Sequence, residues 1–347
     1  MADSASRRHF LKLAGAAALA LGGKAAADPQ QAQGTGGTSS PDRVPLRPLG
    51  RTGVQVSALC LGGYHLGSAS SQKECARIIS EAYDAGVTFI DNAWEYHDGK
   101  SERWVGEALR GKRDKFFLMT KVCTHGRDEQ TAMKQLEESL RRLQTDYLDL
   151  WQVHEVIYEN DPGLHNRAEG TVAALEKAKR QGKVRFVGFT GHKDPTIHLQ
   201  MLSYGFPYDT CQLPLNCFDA NFRSFQQFVL PELLRRGIAA LGMKSMGGGG
   251  EPIKAGVLAP HEALRYAMSL PVATTVSGIE SLDILRQNLK VARGFTPMSA
   301  EEMNALRIRV APYSGDGRFE LYKTSKKYDG EPGRKMHGFP SQEELGG

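Results

Sequence analysis

Eight short apolar runs recur between residues 57 and 292, at 57–62, 87–93, 116–122, 147–154, 184–190, 209–216, 238–245 and 273–278, with helical stretches between and after them. The helical stretches are 73–85, 101–110, 128–143, 166–181, 194–203, 221–236, 260–269 and 281–292. Their ends carry the expected signals, with Ser101 and Asp194 as N-caps and Gly86, Gly111, Gly182 and Gly237 just past C-termini. Runs such as Val87-Thr88-Phe89-Ile90 and Phe116-Phe117-Leu118-Met119 lack apolar–polar alternation, the mark of strands covered on both faces. Eight such β–α units predict an α/β fold, a closed (β/α)8 TIM barrel. An open doubly wound sheet is the alternative, because counting strands does not prove closure. Ahead of the repeat, Pro45–Val56 alternates around a Gly-containing turn and predicts a small β-hairpin.

The flanks differ in character. Ser6-Arg7-Arg8-His9-Phe10-Leu11-Lys12 precedes a weakly apolar run, Leu13–Leu21, and then Ala25-Ala26-Ala27. This has the form of a twin-arginine (Tat) signal peptide over 1–27, which implies export to the periplasm by the Tat machinery, or a cytoplasmic protein if the signal is inefficient. The run is too short for stable membrane insertion. A polar linker is expected over 28–43, the barrel over 44–295, and a C-terminal tail over 296–347. The formal charge is +5, but residues 1–27 hold four basic residues and one acidic, so without them the chain is nearly balanced. That gives no electrostatic case for a nucleic-acid partner. Five scattered cysteines with no CxxC spacing read as buried thiols.

Phosphate and metal signatures are poor. Gly62-Gly63-Tyr64-His65-Leu66-Gly67 misses the dinucleotide glycine pattern, and Gly247–Lys254 misses the P-loop. His97, His125, His154 and His192 fall near different strand ends without a ligand motif, so no metal is expected. In a barrel, chemistry sits at the carboxyl ends of the strands. Reading those ends collects Asp91 and Tyr96 after the second strand, Lys121 on the third and His154 on the fourth. Singly, each has a structural reading: a turn cap, a loop aromatic, a strand-end charge, a core histidine. Jointly they form a proton-transfer set. A carboxylate neutralises a buried ammonium, the ammonium lowers the pKa of a phenol, and a neutral imidazole orients a carbonyl oxygen.

The motifs Asp91-x-Ala93-x-x-Tyr96, Gly99-x-Ser101-Glu102, Thr120-Lys121-Val122 and Tyr147-Leu148-Asp149 running to His154 resemble those of the aldo-keto reductase superfamily over residues 44–292. The resemblance implies that the hairpin closes the barrel bottom and that Asp91, Tyr96, Lys121 and His154 form the catalytic tetrad. Tyr96 would be general acid in reduction and base in oxidation, beside an extended NADP or NAD. Cofactor contacts are implied at Gly62, Gly63 and Tyr64, at Thr190 and His192 where the family has Ser-Asn, and at Gln212. Met243 would stand in for the aromatic platform under the nicotinamide. Lys244, Ser245, Met246 and Gly247 would follow the pyrophosphate, with Gly278, Gln287 and Asn288 toward the adenosine. Where NADP-preferring members carry basic residues this chain has Gly278, Ile279 and Ile284, with Glu280 beside them, so NAD is expected to be accepted at least as well as NADP. Arg286 is nearby and its side chain is expected to turn away. Substrate would be a small carbonyl or alcohol, sugar-like on the strength of His97 and Glu155. Tyr64, Trp94, Glu155 and the tail aromatics Tyr313, Phe319 and Tyr322 would complete the pocket. The tail, through Arg318–Lys323, reads equally as a lid over the mouth or as a solvated helix. A cofactor-binding sensor with little turnover is the alternative function. Export also implies that cofactor is loaded before transport.

Overall fold

The structure, a computed structural model, describes residues 41–123 and 127–344. The signal segment, nearly all of the linker and His125 lie outside the described residues. A two-stranded antiparallel hairpin, β1 (Leu46–Pro48) and β2 (Gln55–Ser57), comes first. The eight expected barrel strands follow as β3 (Leu59–Gly62), β4 (Phe89–Asp91), β5 (Phe117–Val122), β6 (Leu148–Val153), β7 (Val184–Thr190), β8 (Thr210–Pro214), β9 (Ala239–Met243) and β10 (Thr274–Gly278). All pair in parallel in chain order, and β10 pairs with β3, so the sheet is a closed barrel rather than an open one.

Two apolar layers explain the closure. The larger lies between strands and helices and takes in Ile78, Leu136, Leu175, Leu233, Leu264 and Leu285 from successive helices. The smaller fills the barrel: Cys60, Phe89, Phe117, Met119, Leu150 and Leu241 meet Leu49 and Val56 of the hairpin. The hairpin is therefore the bottom plug, and each such fully buried aliphatic contributes roughly 1.5–3 kcal/mol. Gly50 must be glycine there, since its φ is +53° and a Cβ would lie 2.6 Å from the Gly237 carbonyl oxygen. All five cysteines are buried.

Some expected elements are redrawn. The helix over 221–236 splits into Phe225–Phe228 and Leu230–Arg236, with Pro231 at the start of the second. Short helices Gly63–Ser68 and Asp161–Asn166, absent from the sequence reading, sit just past β3 and β6. In the tail, Glu320, Tyr322 and Lys323 are buried. Lys323 Nζ lies 2.6 Å from Asp219 Oδ1 and 2.9 Å from Glu320 Oε1, while the Tyr322 hydroxyl donates to Glu320 at 2.6 Å. A solvated helix is thereby excluded for this segment. Two clefts, of about 470 and 400 Å³, are lined by Arg103, Trp104 and Arg142 and by Asn221, Arg307 and Ile308, away from the strand ends that carry the tetrad.

Candidate active site

The mouth is built from the end of β4. Asp91 pairs in register with Gly62, and Gly63 packs so closely that a Cβ would fall 2.3 Å from the Asp91 carbonyl oxygen. Chain 92–99 then turns back over the barrel. Trp94 N–H donates to Lys121 O at 3.1 Å, and Ser101 Oγ donates to Gly63 O at 2.6 Å. Buried Glu102 accepts from Thr120 Oγ1 at 2.7 Å and from Arg142 at 3.2 Å, and Arg142 also donates to the Trp94 carbonyl at 2.8 Å. The Ser-Glu motif is thus the buttress of the Tyr96 loop. His97, Asp98 and Gly99 follow Tyr96 with φ of +52°, +55° and +76°, a left-handed run that the side chains of non-glycine residues resist. The His97 ring, 2.8 Å from Tyr64 O and 3.1 Å from Ser68 Oγ, holds that turn in place.

The four tetrad candidates come together. Buried Lys121 ion-pairs with Asp91 and donates to Asn92 O at 2.8 Å and to the Tyr96 hydroxyl at 3.3 Å. Gln212 Nε2 donates to the other Asp91 oxygen at 3.0 Å. The Tyr96 and His154 rings meet edge to face with centroids 5.6 Å apart. The expected lowering of the phenol pKa is corrected: burial, then the charges of Asp91, Glu95 and Glu155, push Tyr96 well above its ordinary value. Two carboxylates unseen in the sequence reading of the phenol, Glu95 and Glu155, join Asp91 in outweighing one ammonium. The phenol therefore keeps its proton, as a donor to a developing alkoxide requires.

The cofactor candidates divide. Gly62, Gly63, Thr190, His192 and Gln212 line the rim beside the tetrad, Thr190 and Gln212 being register partners on β7 and β8. Exposed Tyr64 packs edge-on to Tyr96 at 5.5 Å. Gln212 Oε1 and Asn92 Nδ2 are buried without a hydrogen-bond partner among the described residues, one an acceptor and one a donor. A primary carboxamide offers the complementary pair, so these residues fit a nicotinamide. Met243 ends β9; Lys244 (φ +56°), buried Ser245 and Gly247 form the turn after it. The remaining candidates are engaged within the protein. Met246 packs against the core, Asn288 is buried and donates to Ser277 Oγ at 2.8 Å, and the His65 ring covers Gly278. Only Gln287 of that pair is exposed. Arg286 is turned onto Glu81, with contacts of 2.7 and 3.0 Å.

The tail contributes more than expected, and from different residues. Lys244 Nζ lies 4.8 Å from the Tyr328 ring centroid and 5.4 Å from that of Tyr322. Burial lowers its pKa to about 8. Gly330 N–H donates to Glu155 at 2.9 Å, and His192 Nδ1 lies 3.2 Å from Tyr322 O. Although burial opposes it, His192 and His154 hold Glu155 down to about 2. His337 packs on Trp94 at 5.6 Å and touches Gln135 at 2.6 Å. Tyr313 and Phe319, by contrast, pack on each other, and Phe319 on Phe218. Sequence reasoning missed Asn92, Glu95, Tyr328 and His337 as site residues; only Asn92 and Glu95, one position from Asp91 and Tyr96, carried a local signal.

The model of the aldo/keto reductase family matches residues 58–251. Methylglyoxal reductase YeaE of Escherichia coli (strain K12) is 40% identical over 133 residues, which is 38% of this chain and 44% of that protein. The chain spans about half the length of the curated relatives it matches. Among solved structures, the holo form of aldo-keto reductase AKR11C1 from Bacillus halodurans shares the fold at a TM-score of 0.65, with 24% identity over 77% of this chain and 96% of that one. An aldo-keto reductase from Klebsiella pneumoniae in complex with NADPH does so at 0.62, with 23% identity over 78% and 95%.

Proposed function

Because the chain belongs to the aldo/keto reductase family, we propose that it is an NAD(P)-dependent oxidoreductase interconverting a small carbonyl compound and its alcohol. The observation that carries this reading is Lys121 at 3.3 Å from the Tyr96 hydroxyl, with His154 packed edge-on to the same ring. Gln212, Asn92 and Thr190 would hold the carboxamide of a nicotinamide and Lys244 would meet its phosphates, and that group would supply or accept the hydride. The protein's own work is on the proton. Tyr96 keeps it until negative charge grows on the substrate oxygen, then passes it across. Lys121, fixed by Asp91 and by the Asn92 carbonyl, stabilises the phenolate left behind. His154 orients the oxygen. In alcohol oxidation the same phenolate takes the proton back. Positioned acid–base groups of this kind are worth roughly 10²–10⁴ in rate.

Arg286 spent on Glu81 supports acceptance of NAD at least as readily as NADP. Fluorescence titration with NADH and NADPH, then turnover on a panel of aldehydes, ketones and sugars, tests the reading. Comparable affinities and consumption of a carbonyl are expected; NADPH bound tenfold tighter would remove the cofactor assignment, and tight nucleotide binding with no carbonyl consumed would make the chain a sensor.

A further inference from the structure

The carboxylate of Glu95 has two unlike oxygens. Oε1 lies in contact with His154 Nδ1, while Oε2 is buried and has no hydrogen-bond partner among the described residues. A buried carboxylate oxygen accepts hydrogen bonds and cannot donate them, so it is satisfied only by a donor brought from outside. Glu95 directly precedes Tyr96, and its other oxygen lies on the ring that faces the phenol. A group carried on the carbon beside a reacting carbonyl would therefore arrive near it.

The charges around it point the same way. Glu155, in the left-handed region at φ +53°, sits 3.8 Å from His192 and accepts from Gly330. Lys121 is paired with Asp91 and Lys193 with Asp329 at 2.6 Å, and Lys244, between the Tyr322 and Tyr328 rings, is the cation assigned above to the cofactor phosphates. An anionic substrate would meet two carboxylates and no uncommitted cation among these residues. A hydroxylated one would meet an acceptor in need of a donor.

Resting on the oxidoreductase reading above, we infer that Glu95 is a specificity-determining residue: its free oxygen accepts a hydrogen bond from a hydroxyl beside the substrate carbonyl, and its charge bars carboxylates. His337, packed on Trp94 at 5.6 Å, lies beside this loop.

The test compares kcat/KM of the full chain for glyceraldehyde, propanal and glyoxylate, which carry a neighbouring hydroxyl, no polar group and a carboxylate. For the unmodified protein, glyceraldehyde should exceed propanal at least tenfold and glyoxylate about a hundredfold. Glu95→Leu should erase the glyceraldehyde-to-propanal ratio. Glu95→Gln, which keeps an acceptor without the charge, should preserve that ratio while raising glyoxylate at least tenfold. Nucleotide-binding titration of each variant establishes that the barrel is intact. Glyoxylate used as well as glyceraldehyde by the unmodified protein, or a ratio unchanged in Glu95→Leu, overturns the inference while leaving the oxidoreductase reading standing. No turnover of any of the three, with nucleotide bound, brings down that reading and this inference with it.

Discussion

Tyr96 shows how far single residues could be read. Its partnership with Lys121 and His154 follows from position at strand ends, because a barrel gathers those ends at one rim whatever their distance along the chain. The direction of its pKa was not legible, since it depends first on burial of the phenol and then on the charges of Asp91, Glu95 and Glu155, which only the folded chain brings near it. Lys244 makes a checkable case at this scale. Its ammonium, ordinarily near 10.5, loses its proton near pH 8 because burial penalises the charge before Glu155 restores part of it. A lowered lysine is charged below that value and neutral above it. NADH affinity measured by fluorescence quenching should therefore be level below pH 8 and fall by up to tenfold per unit above it. In Lys244→Met the dependence should flatten; an unchanged slope in the variant would separate Lys244 from the phosphates.

Among the elements, the eight barrel strands were legible within a few residues, because buried parallel strands print uninterrupted apolar runs on the sequence. The tail was not. Its Arg318–Lys323 stretch mixes charge and aromatics as a solvated helix would, and only the structure shows Lys323 between Asp219 and Glu320. The inward turn of Asn288 was hidden in the same way, as a polar residue on a helix that donates to buried Ser277. The tail also meets the mouth through Glu155, whose carboxyl is held at about 2 against an ordinary 4.5. A depressed carboxyl stabilises the folded arrangement above its ordinary value, and that contribution is lost as pH falls from 4.5 toward 2. Hydrogen exchange at Gly330 and its neighbours should accelerate across that window ahead of the barrel strands. Exchange in the tail that keeps pace with the strands would show that Glu155 does not anchor it.

For the molecule as a whole, the proposal is a barrel that folds around its nucleotide and is then exported by way of Arg7 and Arg8. Replacing both with lysine should leave the protein in the cytoplasmic fraction, and protein recovered from the export fraction should carry nucleotide by mass spectrometry. Exported protein free of nucleotide would contradict loading before transport. Everything the barrel, the buttressed loop and the tail accomplish converges on one proton. The most direct measurement is the single-turnover rate of NADH oxidation by a saturating aldehyde in the unmodified chain and in Tyr96→Phe, with nucleotide affinity measured in both. The account predicts matched affinities and a rate lower by roughly 10²–10⁴ in the variant; equal rates would contradict it.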